Sequence, residues 1–149
     1  MAATPEEKFT EWLEHLCLRP AMYMGVQNLK LMEAYLSGFG YGFRLGKDNL
    51  LFCIGGWHLL SYFMHPWVHG KYSVNHPAWG FSRILYHFHE HNEEAAIRAI
   101  PGLFQEYLQQ GPLAYEAMRE WCENRVRTEY NDEVGAPKCD KCCMHWGAP

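Results

Sequence analysis

Apolar residues recur at helical spacing along most of this chain, and prolines, glycines and capping residues separate the segments that carry them. In the first segment, Phe9, Trp12, Leu13 and Leu16 fall on one face of a helix that Thr4 is placed to cap. No segment has the turn chemistry of a β-hairpin. The spacing therefore predicts an all-α fold, an irregular bundle of five to seven helices in a single domain.

Prolines and capping residues set the expected helix boundaries in the first third of the chain. The first helix should end at Arg19, because a residue that precedes proline avoids the helical region. Asn28 is placed to cap the next helix. Between them, RPAMYMG is expected to form an extended dipeptide and a turn, with Tyr23 and the two methionines packed onto the core and Gly25 at positive φ.

Later boundaries follow from the same residue types. The apolar run over about residues 50–65 predicts a buried helix that ends before Pro66, and residues 68–77 read as a polar loop. Asn92 is placed to cap a further helix, which Pro101 is expected to kink or split.

Composition and charge exclude several classes of protein. The chain of 149 residues has a formal net charge of −4, whereas a general nucleic-acid binder needs a clustered basic face. Its most apolar stretch is interrupted by histidines, glycines and proline, so no membrane span is expected. The polar, acidic start does not resemble a secretory signal. The sequence thus predicts a cytoplasmic protein with reduced cysteines, which binds neither nucleic acid nor membrane.

The helical spacing stops near residue 133, which divides the sequence into a helical domain of residues 1–132 and an irregular, cysteine-rich tail of residues 133–149. The tail carries C-x2-C-C-x-H, and thiolates and imidazole are the ligands that zinc prefers. Adjacent cysteines are awkward geometry for one closed site, so a distant ligand, such as Cys122 or a histidine, is expected to take part. A metal-free tail whose thiols crosslink on oxidation is the alternative. The predicted zinc ligands are Cys139, Cys142, Cys143 and His145.

A second group of candidate ligands lies in HFHEHNEE. His87 and His91 are four residues apart and share one face of a helix, whereas His89 points the other way. A pair at this spacing can bind a metal ion. The alternative is a solvated helix end, where imidazoles suit the helix dipole.

The order of several motifs resembles a group of small bacterial proteins. RPxMYxG is followed by a helix ending YLSGFGYGF, then by HPAWGFSRILYHF and NEEAAIRAIPGLFQEYL. The likeness spans roughly residues 19–110. Some members of the group are of immunity type, encoded beside secreted toxins. The chain differs from the usual pattern at Ala21, in a histidine-rich insert around residues 57–76 and in its cysteine tail.

RPAMYMG also resembles the RPGMYIG of type II topoisomerase ATPase domains. Glu33 is the only carboxylate in the helix that follows, and the glycine-rich ATP-binding loops of that family have no counterpart. A nucleotide site is therefore not expected.

The resemblance implies a non-enzymatic binding protein that neutralises a cognate protein toxin by direct contact. An acidic helix start and an aromatic segment are the predicted partner surface, and charge complementarity would speed association. A small zinc-dependent enzyme and a zinc-binding regulatory domain are the alternatives. The predicted partner-binding residues are Trp67, Tyr72, Trp79, Glu90, Glu93 and Glu94.

Overall fold

The computed structural model describes residues 2–3, 5–45, 53–54, 57–74, 76, 78–110 and 137–147. The predictions for Thr4 and Cys122 lie outside these residues. In chain order the elements are α1 (Pro5–Leu18), α2 (Pro20–Met24), α3 (Leu29–Leu45), β1 (Cys53–Ile54), β2 (Trp57–His58), α4 (Leu59–Tyr62), a π-helical turn (Phe63–Trp67), α5 (Val68–Tyr72), α6 (Phe81–Phe88), α7 (Glu93–Gln109) and α8 (Asp140–Trp146).

Helices make up this fold, which confirms the predicted all-α class. The extended segments β1 and β2 are two residues each and pair only with one another, antiparallel, with Cys53 opposite His58 and Ile54 opposite Trp57. A pairing this short forms no layer of its own. Among the described residues, no helix is both long enough and apolar enough to cross a bilayer.

The core lies where α1, α3, α6 and α7 meet around the π-helical turn. Each helix contributes the apolar residues of one face, as the spacing predicts. Aromatic rings fill the centre, where Phe63 meets Phe104 edge to face at 5.1 Å and Trp12 stacks on Phe39 at 4.5 Å. Fully buried members include Leu13, Leu16, Leu29, Met32, Leu36, Phe63, Phe81, Ile84, Leu85, Ile97, Ile100 and Phe104.

The RPAMYMG segment forms a short helix, α2, with buried Pro20 at its first position. Gly25 ends it at φ 80°, which confirms the predicted positive φ. Asn28 then caps α3 as predicted, since its Oδ1 accepts a hydrogen bond from Leu31 N at 3.0 Å. Of the three side chains expected to pack this turn onto the core, Met24 does so, whereas Met22 and Tyr23 are 74% and 43% exposed. Buried Pro20 also anchors the turn.

The helix predicted over about residues 50–65 is wrong at both ends. Residues 53–54 and 57–58 form β1 and β2, α4 begins at Leu59, and the helical path does not end before Pro66. Proline cannot donate the hydrogen bond that an α-helix needs at this position. The chain widens into the π-helical turn Phe63–Trp67 and continues as α5, so part of the predicted polar loop is helical. Pro66 is buried within that turn.

Two further predictions are corrected in the second half of the chain. Asn92 caps α7 as predicted, but α7 runs from Glu93 to Gln109 through Pro101, so the predicted split at this proline is wrong. The predicted irregular tail contains a helix, α8, which packs against α6. Its seven residues are too short to be stable alone, so contacts with the rest of the molecule must hold it.

Candidate metal centre

The C-terminal end of α6 turns sharply and carries two of the site residues. Glu90 and His91 both have positive φ, 57° and 60°, a conformation that residues other than glycine rarely adopt. His91 N donates to Tyr86 O at 2.9 Å and closes the turn. The His91 ring therefore comes back over the last turn of α6, with its centroid 5.5 Å from that of His87. Such local strain is typical of functional positions.

The N-terminal end of α8 supplies the other two residues. Cys139 is the N-cap, and its Sγ accepts a hydrogen bond from Cys142 N at 3.4 Å. A thiol here takes the place of the usual Ser, Asp or Asn cap. Cys142 lies in the first turn and is fully buried against α6.

These two chain ends meet and form a cluster of four potential ligands, His87, His91, Cys139 and Cys142. The ligand atoms all lie within 4.8 Å of one another. His91 Nε2 is 3.0 Å from Cys139 Sγ, and His87 Nδ1 is 3.5 Å from Cys142 Sγ. In a tetrahedral zinc site, bonds of about 2.0–2.3 Å place nitrogen and sulfur ligands about 3.5 Å apart. The cluster thus has donor atoms of the kinds that zinc prefers, and the His87–Cys142 and His91–Cys139 pairs lie at 3.5 and 3.0 Å, near that spacing.

Burial favours the neutral forms of two of the four side chains, His87 and Cys142, when no metal is bound. Burial lowers the pKa of His87, and neighbouring His91 lowers it further. Burial also raises the pKa of the Cys142 thiol to about 12; Cys139 adds to this rise, while Arg83 opposes it. A neutral imidazole is the form that binds metal. Two thiolates and one divalent cation sum to zero charge, so the loaded site is also compatible with burial.

Of the four metal ligands predicted from the sequence, Cys139 and Cys142 belong to the cluster, whereas Cys143 and His145 lie outside it. Cys143 Sγ faces Arg83, with Nη2 at 3.8 Å. The His145 ring stacks on Tyr86, 4.9 Å between centroids, and its Nε2 is 3.5 Å from Glu93 Oε1. The helical path of α8 turns these two side chains away from the cluster.

His87 and His91 are the ligands that the sequence prediction leaves out of its zinc site. The predicted helix face is wrong, because α6 ends at Phe88 and it is the turn through Glu90 and His91 that brings the two rings together. The distant segment that they meet was not predicted. His89 does point away, as predicted, since its Nε2 lies 3.4 Å from Tyr72 Oη. The tail was expected to need a distant ligand such as a histidine, and this expectation could have connected C-x2-C with the His87 and His91 pair.

The predicted partner surface is only partly exposed. Trp67 and Trp79 belong to the core, with 6% and 1% of their surfaces exposed, which corrects their assignment to a contact face. Trp67 Nε1 donates to Gln110 Oε1 at 2.9 Å. Tyr72 is half-buried and stacks on Phe88 at 4.7 Å.

The acidic part of that surface lies beside the metal cluster. Glu90 and Glu94 are exposed, and Glu94 pairs with Arg98 at 2.7 Å. Glu93 is half-buried, and its Oε1 accepts a hydrogen bond from Leu29 N at 3.3 Å. These three carboxylates and His91 line an open depression of about 550 Å³.

Comparison of the chain with models of protein families, with curated proteins and with solved structures found no match. The geometry of the cluster is therefore the basis on which a function can be argued.

Proposed function

We propose that the protein is a zinc-binding helical domain, in which one Zn²⁺ fastens the C-terminal segment onto the end of α6. The observation that carries this proposal is the cluster itself. Four ligand atoms from two segments 48 residues apart lie within 4.8 Å of one another. The ligands would be His87, His91, Cys139 and Cys142.

The donor set favours a structural site over a catalytic one. Catalytic zinc sites commonly use three protein ligands and leave the fourth position to water or substrate. Here the cluster offers four side-chain ligands, which together would complete a tetrahedral shell. A non-enzymatic binding or regulatory domain therefore fits better than a zinc enzyme.

Contacts around the cluster also suit a fastening role. Lys30 Nζ donates to His145 O and lies 4.9 Å from the centre of the Trp146 ring. Trp146 packs on Tyr86 at 4.7 Å. The metal would thus hold α8 in a position where the start of α3 and the end of α6 both contact it.

The toxin-neutralising role expected from the sequence stays a prediction. Exposed Glu90 and Glu94 beside the cluster are the acidic positions that a basic partner would reach. A pull-down from a host that expresses the neighbouring genes would test this role, and a single stoichiometric partner is the expected result.

The metal site is tested by the metal content of the full chain and by titration with Co²⁺, whose visible bands report tetrahedral thiolate coordination. We expect one zinc ion per chain, and its loss in His87→Ala, His91→Ala, Cys139→Ser and Cys142→Ser. His89→Ala and Cys143→Ser are matched controls, because their side chains face away from the cluster.

Circular dichroism would show whether each variant still folds. Retention of zinc by folded His87→Ala and Cys142→Ser would contradict the proposal. Equal loss from the two control variants would contradict it as well.

A further inference from the structure

The two cysteines of the cluster face one another across the first turn of α8. Their Sγ atoms lie within 4.8 Å, and Cys139 Sγ already accepts a hydrogen bond from Cys142 N. Residues three apart at a helix start have Cα atoms about 5–6 Å apart, a separation that disulfide geometry accepts. The two sulfurs can therefore bond after side-chain rotation alone.

The two thiols differ in their access to solvent. Cys139 is half-buried at the surface, whereas Cys142 is fully buried behind it. A small oxidant would reach the Cys139 sulfur first, and the Cys142 sulfur lies next to it. Cys143 faces Arg83 instead of the pair.

We propose that Cys139 and Cys142 form a peroxide-sensitive dithiol whose oxidation to an intramolecular disulfide releases the metal ion. This inference rests on the proposed zinc site and adds its regulation. A thiolate pair that holds zinc and a disulfide that cannot do so are mutually exclusive states of the same two sulfurs. The histidines alone would leave only two ligands, too few to retain the ion.

The chemistry balances with a hydroperoxide as the oxidant. The Cys139 sulfur attacks one peroxide oxygen, the O–O bond breaks, and a sulfenic acid and one water form. The Cys142 sulfur then attacks the sulfenic sulfur, which expels its oxygen as a second water. In total, the two zinc-bound thiolates lose two electrons. Hydrogen peroxide takes up these electrons and two protons from solvent and becomes two waters, and Zn²⁺ leaves as the aqua ion.

The experiment treats zinc-loaded full chain with equimolar hydrogen peroxide. Released zinc is followed with a chromogenic chelator, and the disulfide is mapped by trypsin digestion without reduction. Lys141 lies between the two cysteines, so trypsin separates Cys139–Lys141 from the peptide that begins at Cys142. We expect these two peptides to be joined, with one zinc released for each disulfide formed. Dithiothreitol and added zinc should restore the starting state.

The Cys143→Ser variant distinguishes the possible pairs. A bond between Cys142 and Cys143 would lie within one tryptic peptide and leave Cys139–Lys141 free, which would overturn the inference. A joined pair that disappears in Cys143→Ser would assign the bond to Cys139 and Cys143, and would also overturn it. The same joined peptides in wild type and in Cys143→Ser support it.

The zinc content measured before oxidation distinguishes failure of the proposed zinc site from failure of the proposed oxidative release. A chain that cannot be loaded with zinc contradicts the proposed function, and the release step fails with it. A chain that loads one zinc ion but keeps it after peroxide treatment contradicts this inference alone.

Discussion

A single residue of α3, Glu33, caps the helix α6 that carries His87. The N-cap of α6 is Gly80, which has no side chain to accept a hydrogen bond. Glu33 Oε2 supplies the missing acceptor from α3, bonding Ser82 N at 3.1 Å and also Ser82 Oγ. The absence of a side chain at Gly80 makes room for this carboxylate, since a Cβ there would lie 2.9 Å from Glu33 Oε1.

Replacement of Glu33 should therefore destabilise the fold. We expect Glu33→Ala to lower the free energy of unfolding by about 1–2 kcal/mol, as loss of a helix cap does, and Glu33→Gln to lower it less, because the amide keeps one acceptor oxygen. Glu94→Gln is the control, since its exposed ion pair with Arg98 contributes little. Urea denaturation measures all three, and equal midpoints for Glu33→Ala and Glu94→Gln would contradict the capping role.

Cys17 gives a pH dependence that is separate from the metal cluster. Burial raises the pKa of its thiol from 9.0 to about 12. Above pH 9 the unfolded chain loses this proton while the fold keeps it, so the Cys17 contribution to stability falls as pH rises from 9 towards 12. The unfolding free-energy difference between wild type and Cys17→Ala should therefore change by up to about 1.4 kcal/mol per pH unit above pH 9. Parallel pH profiles for the two proteins would rule this out.

Replacement of Gly25 and of Gly38 by alanine should change the stability of the fold in opposite directions. Gly25 ends α2 at φ 80° with open space where a Cβ would lie, so alanine there adds backbone strain and no clash. Gly38 is exposed inside α3 and also has open space around it. We expect Gly25→Ala to destabilise the fold by about 1 kcal/mol and Gly38→Ala to stabilise it by about 0.5–1 kcal/mol. Thermal unfolding in parallel measures both, and shifts of the same sign would contradict the assigned conformations.

The sequence predicts elements well where local chemistry decides them. Asn28 and Asn92 cap the helices expected of them, because an N-cap depends on residues only two or three positions away. The sequence predicts helical elements poorly where tertiary packing determines their conformation. Buried Pro66 is accommodated by a π-helical turn, and α7 absorbs Pro101 without a break. At Pro66, burial in the core offsets the local cost of proline, whereas Pro101 is half-buried.

The candidate site shows the same division. C-x2-C and the histidine pair are each visible as local motifs, and both contribute to the cluster. Their meeting depends on how α8 packs against α6, and no spacing along the chain encodes that contact. Cys143 was assigned to the zinc site as part of C-x2-C-C-x-H, but the helix turns its side chain towards Arg83.

For the whole molecule, a metal ion at the cluster would act as a crosslink. It would join positions 48 residues apart in sequence, His91 and Cys139, and so restrict the unfolded chain as well as hold the folded one. Metal binding and folding are then coupled, because an unfolded chain does not hold the four ligands together. Without the ion, the contacts that hold the last residues of α8 include those with Tyr86, Lys30 and Glu93.

This coupling predicts that zinc raises the melting temperature of the intact chain. At a free zinc concentration of 100 times Kd, binding to the folded state adds about 2.7 kcal/mol. For a domain of this size, that corresponds to a rise of about 5–10 °C. His91→Ala should lose the rise, because it removes one ligand, whereas His89→Ala should keep it, because His89 lies against Tyr72. Differential scanning calorimetry with and without zinc measures the effect. An equal rise in both variants would mean that zinc acts elsewhere on the chain, and that the contact between α6 and α8 is held by packing alone.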